Sequence, residues 1–191
     1  MMRQEPVQAV ELEQVRMNDR GAFEAFVRQY QRLVFHVVCR MVPEPADQED
    51  LCQDVFLKVY QNLSRFRQES KVSTWIARIA YNTCLNHLKR KKLRRTDDRY
   101  GDPKILEGLP DGGPAPDSQM EAEDGVRRLQ IEMERLPVAY RTALTLFHLE
   151  EMPLWEIAQV MDLPENTVKS HLFRARRLLK ARLDLKYGEG R

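Results

Sequence analysis

The sequence has no apolar run approaching the roughly 20 residues that a membrane-spanning helix needs. Its start, MMRQEPVQAVELEQVRM, lacks the apolar core of a signal peptide. A cytoplasmic protein with no membrane insertion of its own is expected. Cysteine is scarce: Cys39, Cys52 and Cys84 are the whole set, without CxxC spacing. That speaks against a zinc site or a redox switch. All three fall in apolar helical patterns and read as small buried hydrophobes. No Ser/His/Asp set, phosphate-binding glycine loop or metal-ligand spacing is present, so neither an enzyme nor a cofactor is expected. Strand signals are few. Net charge of one sign is missing too, since 31 basic residues against 29 acidic ones leave +2.

That small total hides a pattern. Acidic residues gather at 44–54 and 97–124, basic residues at 89–95 and 169–186. Separate surfaces for nucleic acid and for basic protein partners follow from such asymmetry. Helical period is nearly continuous. A short helix is expected over about 9–18, broken at Asn18-Asp19-Arg20-Gly21. The next runs over about 21–41, carrying Phe23, Phe26, Val27, Tyr30, Val34, Val37 and Val38, and Pro43 and Pro45 end it. A third starts near Asp47, with Leu51, Val55 and Val59 as one ridge. Its early acids, Asp47, Glu49, Asp50 and Asp54, suit the positive end of a helix dipole. From 96 to 120 the period disappears into Pro103, Pro110, Pro114, Pro116 and four glycines, the composition of a linker. The expected architecture is therefore all-α: two small helical domains, 1–95 and 121–191, joined by a flexible acidic linker.

The stretch 66–92, FRQESKVSTWIARIAYNTCLNHLKRKK, centres the first domain. Ser73 or Thr74 is expected to cap its helix, because a side-chain oxygen there accepts from orphan amides. Ile76, Ala80, Cys84 and Leu88 give an apolar face. Arg78, Asn82, Asn86 and Lys89 share a polar one, which runs into the cluster Lys89, Arg90, Lys91, Lys92, Arg94 and Arg95. Such a helix suits a nucleic-acid strand; a solvated amphipathic face is the other reading of the same residues.

In the second domain Val126, Leu129, Ile131, Met133 and Leu136 resume the period, and Pro137 marks a further helix start. Trp155, Ile157, Ala158 and Met161 then form a short helix, Asp162-Leu163-Pro164 a tight turn, and Val168, Leu172, Ala175, Leu178 and Leu179 the apolar face of a second helix. This is a helix-turn-helix pattern, whose second helix can enter a major groove. Asp at 162 is compatible with the left-handed conformation of such a turn. Two further readings remain open on the residues alone: a stand-alone regulator using only this C-terminal motif, and a helical adaptor that never touches DNA.

Taken in order, FEAFVRQYQRLVF, DQEDLCQDVFLKVYQNLSRFR, STWIARIAYNTCLNHLKRKK and LPVAYRTALTLFHLEEMPLWEIAQVMDLPENTVKSHLFRARRLL resemble the extracytoplasmic-function (ECF) sigma factors of bacterial RNA polymerase. The resemblance covers nearly the whole chain and is sigma-E-like. It implies a subunit that binds core polymerase and reads two promoter elements. Asp50, Gln53 and Asp54 would dock on the clamp coiled coil of the polymerase's largest subunit, and the flap would be a second polymerase contact. Asn62, Phe66, Arg78, Asn82, Asn86, Lys89 and Arg90 would serve the −10 element, with one base of its non-template strand flipped into a pocket made by the loop 66–72 and the face with Asn82. The residues 89–95 would hold phosphates. The aromatic pair with which primary sigma factors open the duplex has Arg78 and Ile79 in its place here, and Trp75 reads as core packing. Lys169, Ser170, Phe173, Arg174 and Arg177 would read the −35 element. Arg176, Arg177 and Lys180 are expected to touch phosphates or solvent, and His171 to lie on the surface. Promoter DNA, core polymerase and an anti-sigma factor are the implied partners.

Overall fold

The computed structural model describes residues 12, 15, 17, 19–96 and 121–187, the side chains of 94–96 and 121–124 excepted. Among them are seven α-helices and no strand, as the all-α reading expected. They fall into two compact units divided between His87 and Leu88, a point inside one helix. The linker expected at 96–120 lies outside the described residues, except for Thr96. So does most of the short helix over 9–18, of which Leu12 and Val15 are described as helical and buried.

In unit 1, helix α1 (Arg20–Met41) starts on Asp19, whose side-chain oxygen accepts from the Ala22 amide at 3.0 Å. Phe26, Tyr30, Leu33, Val34, Val37, Val38 and Met41 recur every three or four residues and form its buried stripe. Helix α2 spans Pro45–Asn62. Its start corrects the expectation of Asp47: Pro45 opens the helix instead of ending the previous one. The first helical position needs no amide, so proline is at home there. Leu51, Val55 and Val59 are its buried ridge, as expected. A single 3₁₀ turn, Leu63–Arg65, follows.

Helix α3 spans Val72–Thr96. It begins before Ser73 and Thr74, so neither is the cap; the Trp75 amide already reaches the Lys71 carbonyl at 3.1 Å. Ile76, Ala77, Ala80, Tyr81 and Cys84 are buried. Side chains of α2 bolt it to both neighbouring helices. Gln48 donates to the Val42 carbonyl at 2.8 Å while its own oxygen accepts from the Cys39 thiol at 3.2 Å. Asp47 meets His87 of α3 at 3.3 Å.

In unit 2, α4 (Glu121–Glu134), α5 (Val138–His148) and α6 (Leu154–Met161) all pack against α7 (Glu165–Tyr187). Pro137 precedes α5, and its carbonyl accepts from the Tyr140 and Arg141 amides. Helix α4 departs from the expected pattern. Val126 and Leu129 are exposed, whereas Glu132 has no solvent exposure at all. Its carboxylate meets Arg135 at 3.1 Å and Lys186, near the end of α7, at 2.9 Å. Next to this clasp, Arg128 lies 4.8 Å over the Tyr187 ring.

Candidate nucleic-acid and polymerase interfaces

Between α2 and α3 lies a recess of about 380 Å³, lined by Lys58, Asn62, Arg65, Trp75, Ile79, Asn82, Thr83 and Asn86. Helical spacing builds it. Trp75, Ile79, Asn82 and Asn86 recur along α3 at intervals of three or four residues, so they share one face. Lys58 and Asn62, one turn apart on α2, oppose them, and the Asn62 amide donates to the Lys58 carbonyl at 2.8 Å. The Lys58 ammonium donates to Thr83 Oγ1 at 3.1 Å, joining the two helices. One wall is apolar; the rest carries amides and cations. The Asn82 and Asn86 side chains are exposed.

Three expected strand residues, Asn62, Asn82 and Asn86, thus meet at one recess. Neither Phe66 nor any other residue of the expected 66–72 loop lines it. The Phe66 ring is 7% exposed and packs at 4.9 Å on Trp75, which does line it. Arg78 is exposed outside the lining, and Lys89 and Arg90 are exposed further along α3. Lys58, Arg65 and Thr83 were not anticipated. A lysine and a threonine on separate helices carry no sequence signal of proximity.

The polymerase-facing candidates Asp50, Gln53 and Asp54 are all exposed on α2, spaced to share a face. Beside them runs a second unanticipated feature, a groove of about 1,090 Å³ between α1 and α2. Gln53 lines it together with Phe23, Phe35, Phe56, Leu57 and Tyr60. Phe35 is 55% exposed and Leu57 54%. Both are apolar residues out of phase with the buried stripes of their helices, and that mismatch was the available signal.

Cys52 also lines this groove. Cys39 and Cys52 are half-buried, which corrects the expectation of three buried thiols; Cys84 alone is fully buried. Burial, with Cys39 and Glu49 nearby, pushes the Cys52 thiol up to about 11. Burial and the other two thiols push Cys84 up to about 12. Both are therefore protonated, unreactive thiols at neutral pH.

In unit 2 the expected turn is present. Asp162 takes φ 55° and ψ 47°, and its successor Leu163 donates back to the Ala158 carbonyl at 3.1 Å. Ile157, Val160 and Met161 of α6 are buried with Val168, Leu172 and Ala175 of α7. That fixes which side of α7 faces out. Lys169, Ser170, Phe173, Arg174 and Arg177 are all exposed, within an arc of roughly 140° at 3.6 residues per turn. The Ser170 hydroxyl donates to the Asn166 carbonyl at 2.9 Å.

Two residues beside that arc depart from expectation. Arg176 does not project to phosphate or solvent alone: it bonds to His148 Nε2 at 3.1 Å and lies 5.2 Å over the Phe147 ring. His171 is half-buried against Tyr140, with ring centroids 5.1 Å apart. Both side chains leave α7 at the edge of its buried face, where α5 intercepts them. Burial, aided by Arg176 and Arg174 respectively, holds the His148 and His171 imidazoles below their ordinary range.

The Sigma-70 region 2 family matches residues 26–94, and the Sigma-70 region 4 family matches residues 127–179. The RNA polymerase sigma-H factor of Pseudomonas aeruginosa is 35% identical over 181 residues, covering 92% of this chain and 93% of its own. The chain is an ECF-type sigma factor. The ECF RNA polymerase sigma-E factor of Escherichia coli is 36% identical over 170 residues, covering 86% of this chain and 88% of its own. Two solved structures share the fold of the sigma factor at 20% identity. CnrH, in complex with the cytosolic domain of CnrY, has a TM-score of 0.65 and covers 93% of this chain and 97% of its own. RpoE of Bartonella quintana, in complex with the anti-sigma factor NepR, has a TM-score of 0.61 and covers 85% and 99%.

This sigma factor is thus an alternative specificity subunit that directs promoter-specific transcription initiation, and its family consists of initiation factors rather than catalysts. The region 2 match sets aside the reading in which only the C-terminal motif matters. Among the described residues, no helix is long and apolar enough to cross a membrane.

Proposed function

We propose that the recess between α2 and α3 captures one flipped base of the −10 non-template strand, while α7 reads the −35 duplex. The observation that carries this is the convergence of Asn62, Asn82 and Asn86 on one concavity with an apolar wall. An extruded base loses stacking and pairing worth a few kcal/mol, and amide pairs beside an apolar wall can return both. Arg78, Lys89 and Arg90 then hold the strand's phosphates, and Phe66 supports Trp75. On α7, Arg174 and Arg177 suit guanine edges and Phe173 a thymine methyl, with Lys169 and Ser170 near phosphate.

Asp50, Gln53 and Asp54 dock the clamp coiled coil of the largest polymerase subunit, and the apolar groove beside Gln53 seats its side chains. Unit 2 meets the flap. The domain with these region 2 functions is 1–95, the linker 96–120, and the −35 domain 121–191. The protein acts in the cytoplasm, where an anti-sigma factor holds it inactive; the pairing of the Bartonella quintana relative with NepR supports that regulation.

The test is Asn82→Ala in holoenzyme. Open-complex formation, followed by permanganate reactivity of promoter thymines, should fall about tenfold, the effect of one lost base contact of 1–3 kcal/mol. Core binding should stay intact. Unchanged thymine reactivity would overturn the capture role.

A further inference from the structure

We propose that Lys58 sets which base the recess accepts, selecting a base with a ring carbonyl oxygen (cytosine, guanine or thymine) and rejecting adenine. This rests on the capture reading above and adds to it the chemistry of the occupant. Lys58 is half-buried on α2, and its ammonium is fixed by a 3.1 Å bond to Thr83 Oγ1 on α3. Thr83 is itself buried, so this anchor has a defined position.

An ammonium has three N–H donors and no acceptor. One goes to Thr83, which leaves two for whatever enters the recess. The Asn62 amide, through its bond to the Lys58 carbonyl, holds the same turn of α2 in place. The surrounding volume of about 380 Å³ is large enough to admit a base.

A donor with two free N–H groups at such a position favours a carbonyl oxygen, whose two lone pairs can accept both, over a ring nitrogen, which has one; the ammonium's charge strengthens each such bond. Cytosine, guanine and thymine each carry a ring carbonyl. Adenine offers ring nitrogens with one lone pair each, and its N1 and N7 flank an amino group whose N–H donors oppose those of lysine. Asn82 and Asn86, each with donor and acceptor, adapt to either edge and cannot impose this choice. Arg65 lines the recess too but is exposed, so water competes for its donors.

The experiment uses holoenzyme from the full chain and core polymerase. Fork-junction DNA is built on a promoter mapped by transcript start, and each displaced-strand position carries the four bases and an abasic site in turn. At one position the wild type should prefer the carbonyl bases over adenine by about tenfold or more, the range for a hydrogen bond to a charged group. Lys58→Met should level that preference while core binding and the salt slope of DNA binding persist. Thr83→Val, which frees the ammonium without removing it, should reduce the preference partway, and it guards against misfolding of the first variant.

Equal weakening on all bases and on the abasic site would make Lys58 a phosphate contact and overturn the proposal. Retained preference in Lys58→Met would do so as well. If the wild type is indifferent to the base at every displaced position, the capture reading itself fails, a result distinct from either.

Discussion

Helices α3 and α7 are the two long helices of this sigma factor that carry its DNA-facing candidates, at 25 and 23 residues, and they use their polar faces in opposite ways. The asparagines of α3 lie at a concavity, because α2 brings Lys58 and Asn62 against the same face. The polar arc of α7 is convex: α4, α5 and α6 pack on that helix, yet Lys169, Ser170, Phe173, Arg174 and Arg177 stay exposed, Phe173 at 65%. A flipped base needs walls, whereas a duplex groove needs a protruding rod. Two helices with similar basic patterns thus suit different forms of DNA, and the neighbours of each helix make the difference.

Four measurements would break or sharpen that contrast. The largest effect is expected at the support of the recess. Phe66→Ala should cost unit 1 about 3 kcal/mol, the low end for a buried aromatic, seen as faster hydrogen exchange in α2 and α3 of the full chain. If exchange is unchanged while strand binding falls, Phe66 contacts DNA directly.

Lys186→Met comes next. It leaves the buried Glu132 carboxylate with Arg135 alone. About 2 kcal/mol should be lost from unit 2, below the range for a fully buried pair because Lys186 is itself partly exposed. Exchange protection at the α4–α7 contact reports it. A neutral result would mean that α7 does not depend on being clasped at its far end.

Asp162→Val should cost about 1–2 kcal/mol, since a β-branched residue resists the left-handed turn. The loss should appear in −35 duplex affinity before core binding, because the turn aims α7. Equal loss in both would mean that the whole unit unfolds.

The smallest effect is on pH. His148 and His171 titrate lower in the folded chain than the ordinary value of about 6.5. The unfolded chain therefore binds protons first as pH falls. Their contribution is fully present above about 6.5 and is lost progressively below it. Unit 2 should lose stability as pH falls below about 6.5, and the double variant His148→Gln, His171→Gln should flatten that slope. An unaltered slope would assign the acid loss to other groups.

Much of this was legible in the residues, and for identifiable reasons. Period and punctuation are local, so Asp19, Pro137 and the break at Asp162 marked element ends where the structure has them. Pro45 misled because proline both stops a helix and starts one, and only the following turn tells which. The five −35 candidates of α7 came from the family resemblance, while the apolar face at Val168, Leu172 and Ala175, read from periodicity, marked the inner side that leaves them exposed. The recess was half legible: its asparagines repeat along one helix, but Lys58 and Thr83 are 25 residues apart and meet only across packed helices.

What the sequence by itself determined is therefore everything that depends on neighbours along the chain: the helices, their polar faces, the turn of the motif and the family they belong to. What the tertiary structure alone decided is which polar residues share a cavity and which are intercepted by another helix. Glu132 is buried because Arg135 and Lys186 neutralise it there. Arg176, though exposed, is drawn to α5 because His148 and Phe147 stand within its reach. For Glu132 the deciding term is the loss of water around a charge, and for Arg176 it is the reach of a neighbouring helix; both are set by packing between helices rather than by any local pattern.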